Sequence, residues 1–243
     1  MSFRSYKRNS NFQLPSSIFL SSILSFNKLS LILSNPISKI NPLKLPLSYY
    51  SNQDVLFLAQ DLLGKVLFTK INDEITAGII VETEAYNGIS DKASHAYGGR
   101  RTDRTETLYS HGGVSYVYLC YGIHHLFNVV TSVDDEPHAV LVRAIEPLIG
   151  MEIMELRRNM PASKAAISAG PGSAAKALGI DRSLNKKDLN GSEIWIEDHG
   201  IQYSADNIVA GPRIGVAYAQ EDALLPWRFF IKGNKYVSKP NTI

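Results

Sequence analysis

From Asp54 onward the apolar positions change period from one stretch to the next, and each period predicts an element. Val55, Leu58, Ala59 and Leu62 recur at i, i+3, i+4 and i+7, one face of a helix. Asp54 precedes them as a cap and Gly64 follows as a stop. Lys65 to Ile71 alternates instead, with Val66 and Phe68 on one side, and predicts a strand. Asn72-Asp73 is a turn pair, and Glu74 to Tyr86 reads as the partner strand. Residues 87–113 are broken by Gly88, Gly98, Gly99, Gly112 and Gly113 and read as irregular. Ser115 to Cys120 and Leu126 to Val133 are β-like runs joined by Tyr121-Gly122-Ile123-His124-His125, a hairpin with Tyr121 near its tip. His138 to Ile145 predicts another strand, and about Gly150 to Arg158 a helix. Ala174 to Leu178 is a short helix behind Gly170-Pro171-Gly172-Ser173, closed by Gly179. Ile194 to Glu197, Arg213 to Ala217 and Phe229 to Lys232 are the remaining strands. Short strands and few helices, without repeats or regular βαβ alternation, predict an α+β fold in a single domain.

Composition adds two limits. The 243 residues, 44% hydrophobic, are ample for a sizeable core. Cys120 is the one cysteine, so an intrachain disulfide and a cysteine-rich zinc site are both excluded. Its apolar neighbours suggest core rather than nucleophile. The formal charge of +2 conceals an asymmetry: residues 1–53 hold six basic and no acidic residues, leaving 19 basic against 23 acidic from Asp54 onward. A nucleic-acid surface would therefore have to be a local patch.

Residues 1–45 are a Ser-, Ile-, Leu- and Asn-rich extension, distinct from the folded domain expected over 46–243. Ser21, Ser22, Ser25, Asn27 and Lys28 interrupt its apolar runs, so it lacks the roughly 20 apolar residues of a membrane span. It fits a transit peptide, a disordered extension or upstream codons translated as protein.

The strongest chemical signal is Val81-Glu82-Thr83-Glu84-Ala85-Tyr86, followed nine residues later by His95. On a strand, Glu82 and Glu84 share a face, roughly 7 Å apart at Cα. Like charges that close raise at least one carboxylate pKa, one route to a general base at neutral pH. Two exposed strand glutamates would give the same spacing. Tyr116 and Tyr118 lie on one strand face and suit packing. Tyr121 at a turn tip suits packing poorly and could wedge between stacked bases. His124 and His125 are adjacent, so on a strand they cannot chelate together, and no HExxH or paired-cysteine motif accompanies them. No metal is expected, and His95 reads as a hydrogen-bonding residue. Gly170-Pro171-Gly172-Ser173 could hold a phosphate at the helix start, or be a glycine turn with Ser173 as cap. Arg100, Arg101, Arg104 and Arg143 could form the local basic patch or simply be solvated.

Taken together, Val81 to Tyr86, His95 and Gly98-Gly99-Arg100 strongly resemble the opening motif of the alkyladenine (3-methyladenine) DNA glycosylase family. Val117 to Gly122 with Asn128-Val129, Leu141 to Pro147, Gly170-Pro171-Gly172 and Gly211 to Val216 continue the resemblance in order, over roughly residues 46 to 238. It implies a mixed or antiparallel curved β-sheet with flanking helices and a protruding β-hairpin. It also implies a monomer that acts on damaged purines in double-stranded DNA, hydrolysing the N-glycosidic bond without cofactor or membrane. By resemblance, Glu84 is the base that activates water. Tyr86, His95, Tyr118 and Asn128 form the pocket for a flipped base, and Tyr121 fills the gap in the duplex. Arg143, with Arg100 and Arg104, meets the DNA backbone. No lysine in the motifs is placed for a Schiff base, so strand cleavage is not expected. Such an enzyme works with the DNA inside the cell, in a bacterial cytoplasm, or in an organelle or nucleus if residues 1–45 are a transit segment. A non-catalytic lesion binder and a nucleoside hydrolase are the competing readings. Two departures stand out: Ile123 where methionine is common, and Leu108-Tyr109 where Met-Phe is common.

Overall fold

The computed structural model describes residues 43–238, so most of the N-terminal extension lies outside the described residues. The elements in chain order are β1 (Leu43–Lys44), α1 (Leu47–Tyr50), α2 (Val55–Asp61), β2 (Val66–Ile71), β3 (Glu74–Asn87), β4 (Ser115–Cys120) and β5 (His124–Thr131). Then follow β6 (His138–Ile149), α3 (Met151–Arg158), α4 (Pro171–Leu178), β7 (Ile194–Asp198), β8 (Ile208–Gly211) and β9 (Arg228–Ile231). The fold is α+β, with one curved, open sheet in the order β1-β7-β2-β3-β6-β5-β4; β9 joins β3 and carries β8 outside it. Every strand pair among the described residues is antiparallel.

Local chemistry explains the elements that the sequence pattern identifies. The Asp54 carboxylate accepts from the Leu56 and Phe57 N–H groups and starts α2. Asn72 and Asp73 both take positive φ, 51° and 65°, as a tight hairpin between β2 and β3 requires. Their alternating apolar side chains then lie in register, Val66 opposite Ile79 and Phe68 opposite Ala77.

Strand β3 positions the site. Its first half pairs with β2, Glu82 to Glu84 pair with β9, and β6 runs along the other side from Ala77 to Asn87. The glutamates therefore sit mid-sheet and are fully buried. The exposed-strand alternative does not apply. Two irregularities flank Glu82. The β3–β6 register passes from Ile80↔Ile145 to Glu82↔Ala144, leaving Val81 without a β6 partner. It then passes to Thr83↔Val142, leaving Arg143 without a β3 partner. A bulge re-aims the side chain it carries, and Arg143 is turned between the two glutamates.

Four expectations need correction. No strand spans Arg213 to Ala217; the strand lies at Ile208–Gly211, and 213–216 is a loop leading into a 3₁₀ segment, Ala217–Leu224. The helix predicted at Ala174 begins at Pro171, with Gly170 (φ 103°) as its N-cap, so Ser173 lies inside it and accepts from Arg158 at 3.0 Å. Proline at the first helical position loses no hydrogen bond, so the helix can begin there. His124 and His125 belong to β5, opposite Cys120 and Leu119, so only Tyr121 to Ile123 form the turn. Cys120 is half-buried at the edge of a cleft, not in the core, because β4 is leaving the sheet there as a two-stranded ribbon.

Candidate active site

The ribbon of β4 and β5 overhangs a cleft of about 870 Å³. Tyr86, His95, Tyr118, Tyr121 and Arg143 all line it, with Arg100 and Arg104 on one wall. Asn128 lines a small recess behind it, about 40 Å³, together with Tyr86, His95, Tyr116 and Tyr118. Asn128 donates from Nδ2 to the Tyr116 carbonyl at 3.1 Å, which fixes the orientation of its amide. Glu84 lies beneath the cleft wall and is fully buried.

Three groups hold the Glu84 carboxylate. The Ile214 N–H donates to Oε1 at 2.7 Å, and the Tyr86 hydroxyl donates to Oε2 at 2.9 Å. Arg143 Nη1 lies 3.1 Å from Oε1. Arg143 also donates from Nε to Glu82 at 2.9 Å, so one guanidinium bridges both carboxylates and the two do share a face. Glu82 is held more fully: Arg228 Nε at 2.6 Å, the Ser238 hydroxyl at 2.7 Å and the Ser238 N–H at 2.7 Å also donate to it. Spacing alone predicts two carboxylates repelling each other. The structure instead interleaves them with two arginines, so the pair is charge-balanced. Arg143 is 6% exposed, with its guanidinium engaged by glutamates at the cleft floor.

The aromatic residues form a cluster. His95 and Tyr118 meet edge-on at 4.7 Å, Tyr116 and Tyr118 lie 5.3 Å apart, and His95 Nδ1 is 2.9 Å from the Tyr116 hydroxyl. Arg104 stands over the Tyr118 ring at 5.1 Å. Burial, then the charges of Arg104 and Arg100, push the His95 imidazole down to about 4, so it is neutral at physiological pH. Burial and the neighbouring Glu84 charge raise Tyr86, which remains a phenol able to donate.

The His95 shift predicts a pH dependence of stability. Above the unfolded value of about 6.5 both states are neutral and the shift contributes nothing. Below it the unfolded chain takes the proton first, so stability falls by up to about 1.4 kcal/mol per pH unit and levels off near pH 4. His95→Gln should lose less stability than wild type between pH 7 and 4.5 in thermal melts. Equal losses would refute this assignment.

Tyr121 is 87% exposed, and Ile123 beyond it 72%. The turn closes through Ile123 N–H to the Cys120 carbonyl at 3.1 Å, with positive φ at Tyr121 (50°) and Gly122 (72°). A left-handed conformation costs a non-glycine residue about 1–2 kcal/mol. An aromatic residue held there, projecting into solvent, adds little to the folding of the domain.

The arginine patch divides. Arg100 and Arg104 reach the cleft, but Arg101 pairs with Glu106 at 2.7 Å and Asp135 at 2.6 Å outside it. Tyr109 donates its hydroxyl to the Arg100 carbonyl at 3.1 Å and anchors this loop. One lysine, Lys92, lines the cleft. Its ammonium is tied to Glu221 at 2.6 Å, and that bond raises its pKa, so it is a charged side chain rather than a nucleophile. Among the described residues no group of three or more His, Cys, Asp or Glu is arranged to hold a metal, and no helix is long and apolar enough to cross a membrane.

Sequence reasoning missed the Ile214 N–H, the Ser238 contacts to Glu82, and Tyr218, which lines both the cleft and the recess. A backbone N–H leaves no mark in side-chain spacing, and Ile214 is 130 residues from Glu84.

The family described as methylpurine-DNA glycosylase matches residues 49–235. The chain belongs to that family. The enzyme is thus a DNA glycosylase, a hydrolase of N-glycosyl bonds with DNA as its substrate. Relatives carrying the provisional name 3-methyladenine DNA glycosylase occur in several bacteria. The protein of Chlamydia abortus is 48% identical over 190 residues, 77% of this chain and 97% of the relative. That of Desulfitobacterium hafniense is 44% identical over 196 residues, 78% and 96% respectively. That of Clostridium perfringens is 45% identical over 198 residues, 78% and 97%.

Proposed function

We propose that this glycosylase flips alkylated or deaminated purines, 3-methyladenine foremost, from duplex DNA and hydrolyses their bond to deoxyribose. The observation that carries the reading is the placement of Glu84: a carboxylate under a cleft of aromatic rings, held by three donors from different segments. A carboxylate has about four acceptor positions. Ile214, Arg143 and Tyr86 take three, and the last, on Oε2, suits a water.

Glu84 takes a proton from water, the water oxygen bonds to C1′, and the C1′–N bond breaks with its electron pair leaving on the base. A cationic 3-alkylated purine departs neutral and needs no acid; a neutral deaminated purine departs as an anion and takes its proton from solvent water. The buried negative charge of Glu84 also stabilises positive charge developing on the sugar. Stacking on Tyr86, His95 and Tyr118 favours a cationic base through cation–π attraction. A neutral His95 supports this selectivity, since an imidazolium would repel the same base. The Asn128 side chain, fixed by Tyr116, is positioned in the recess to discriminate among purine edges.

Flipping costs a few kcal/mol, less for a mispaired lesion. Tyr121 fills the vacated space, and Arg100 and Arg104 meet the backbone, with Arg143 at the floor beside the flipped nucleotide. The enzyme is monofunctional: Lys92, the cleft lysine, is protonated and tethered. It works as a monomer, with residues 46–243 as the catalytic domain.

Release of free base from a duplex carrying one 3-methyladenine or hypoxanthine, with intact strands, is the test. Borohydride trapping of a protein–DNA adduct would overturn monofunctionality, and lesion binding without release would favour the non-catalytic binder. Tyr121→Ala should keep the melting temperature, because the side chain is almost wholly exposed, while weakening lesion-duplex binding. Parallel losses in both would make Tyr121 a structural residue.

A further inference from the structure

Asp91 and Arg213 form a buried pair that neither the glutamate motif nor the base pocket accounts for. Both side chains are fully buried, and the guanidinium meets the carboxylate in two bonds, Nη1 to Oδ2 at 2.5 Å and Nη2 to Oδ1 at 2.8 Å. The pair reaches three segments. Asp91 accepts from the Asn87 N–H at 3.1 Å and the Ala93 N–H at 2.9 Å, shaping the loop that leads to His95. Arg213 donates to the Ala85 carbonyl at 2.9 Å, on the strand between Glu84 and Tyr86. Its guanidinium also lies over the rings of Tyr86 at 4.9 Å and Trp227 at 5.0 Å. The residue after Arg213 is Ile214, whose N–H holds Glu84.

We propose that the Asp91–Arg213 pair is a positioning clamp that sets two of the three donors to Glu84, the Ile214 N–H and the Tyr86 hydroxyl. The inference rests on the reading of Glu84 as the base. A planar bidentate pair fixes Arg213 in rotation as well as position. Arg213 in turn fixes the start of the 214–216 loop and the back face of the Tyr86 ring. The Tyr86 ring therefore has a cation behind it, balanced by Asp91, so its front face remains attractive to a cationic purine. Asp91 and Arg213 do not line the cleft; they act through Glu84, Tyr86 and the loop to His95.

The test is single-turnover base release with enzyme in excess, alongside binding to a duplex with an uncleavable abasic analogue and thermal melts. Asp91→Asn should slow release on the order of 10- to 100-fold, the effect of a small misplacement of a catalytic group, with analogue binding near wild type. Thr69→Val serves as the stability control. It removes a buried hydroxyl bonded to the Leu178 carbonyl, remote from the cleft, and should lower the melting temperature without slowing release. Trp227→Leu should also slow release: it removes one of the two rings against Arg213 without leaving an unpaired buried charge, so it reports even where Asp91→Asn does not fold. Release at the wild-type rate in the folded clamp variants, with only the melting temperature lowered, would overturn the clamp. Glu84→Gln separates the two ideas: an active Glu84→Gln removes the base reading itself, whereas an inactive Glu84→Gln beside a fully active Asp91→Asn removes only the clamp.

Discussion

Glu84→Gln should abolish base release while leaving lesion binding measurable. General-base action is worth about 10²- to 10⁴-fold, and the substitution also removes the charge that faces the developing cation, so a loss of at least about 10³-fold is expected. The side chain keeps its length, so the sheet should remain intact. An amide, however, offers one accepting oxygen where the carboxylate offered two. Ile214 and Arg143 donate to one oxygen and Tyr86 to the other. The amide keeps its oxygen toward Ile214 and Arg143 and turns its N–H to the Tyr86 hydroxyl, which then accepts; what is lost is the negative charge opposite Arg143, at an expected cost of about 1–3 kcal/mol. A modest fall in melting temperature should accompany the loss of activity. Single-turnover release and binding to an abasic analogue, measured on the same preparation, check both. A variant that releases base at a rate within tenfold of wild type would remove Glu84 from the chemistry.

Glu82→Gln should show the opposite balance. Glu82 Oε1 takes donors from Arg143, Arg228 and Ser238, and its other oxygen takes the Ser238 N–H. It is fully buried, and it ties β3 to β6, to β9 and to the segment at Ser238. Neutralising one member of a buried ionic cluster typically costs about 3–5 kcal/mol. For a domain of this size that lowers the melting temperature by about 10 °C. Folded Glu82→Gln at low temperature should retain much more activity than Glu84→Gln. If the two variants lost activity equally while folded, the separation of roles within the pair would fail.

The contrast shows why spacing alone did not divide the pair. Two glutamates at i and i+2 are equivalent on an ideal strand. The bulges at Val81 and Arg143 break that equivalence, and the Ser238 segment closes over one carboxylate, leaving the other bonded to cleft-wall residues. None of this is encoded within six residues. It depends on β6, β9 and the 213–216 loop arriving at one point. The same holds for Arg101, which looks equivalent to Arg100 and Arg104 in the sequence. Glu106 and Asp135 draw it away, and the Tyr109 hydroxyl holds the loop so that only the other two reach the cleft.

The sequence by itself determined the elements governed by local rules. Asp54 caps a helix because its own carboxylate reaches the next N–H groups. Asn72-Asp73 turns because these residues tolerate positive φ. The alternation in β2 and β3 fixes their register, and the run around Tyr121 forms a hairpin tip. The motifs also carried the family, since several in the right order over most of the chain leave few alternatives. Tertiary structure decided what depends on distant partners: that Glu82 and Glu84 are buried and charge-balanced, that Arg143 lies between them, that Cys120 edges a cleft, and that 213–216 is a loop whose N–H meets Glu84. Hydrogen bonds from backbone groups and ion pairs between residues more than a hundred positions apart leave no periodic trace in a chain. They exist only once the sheet has brought their partners within about 3 Å.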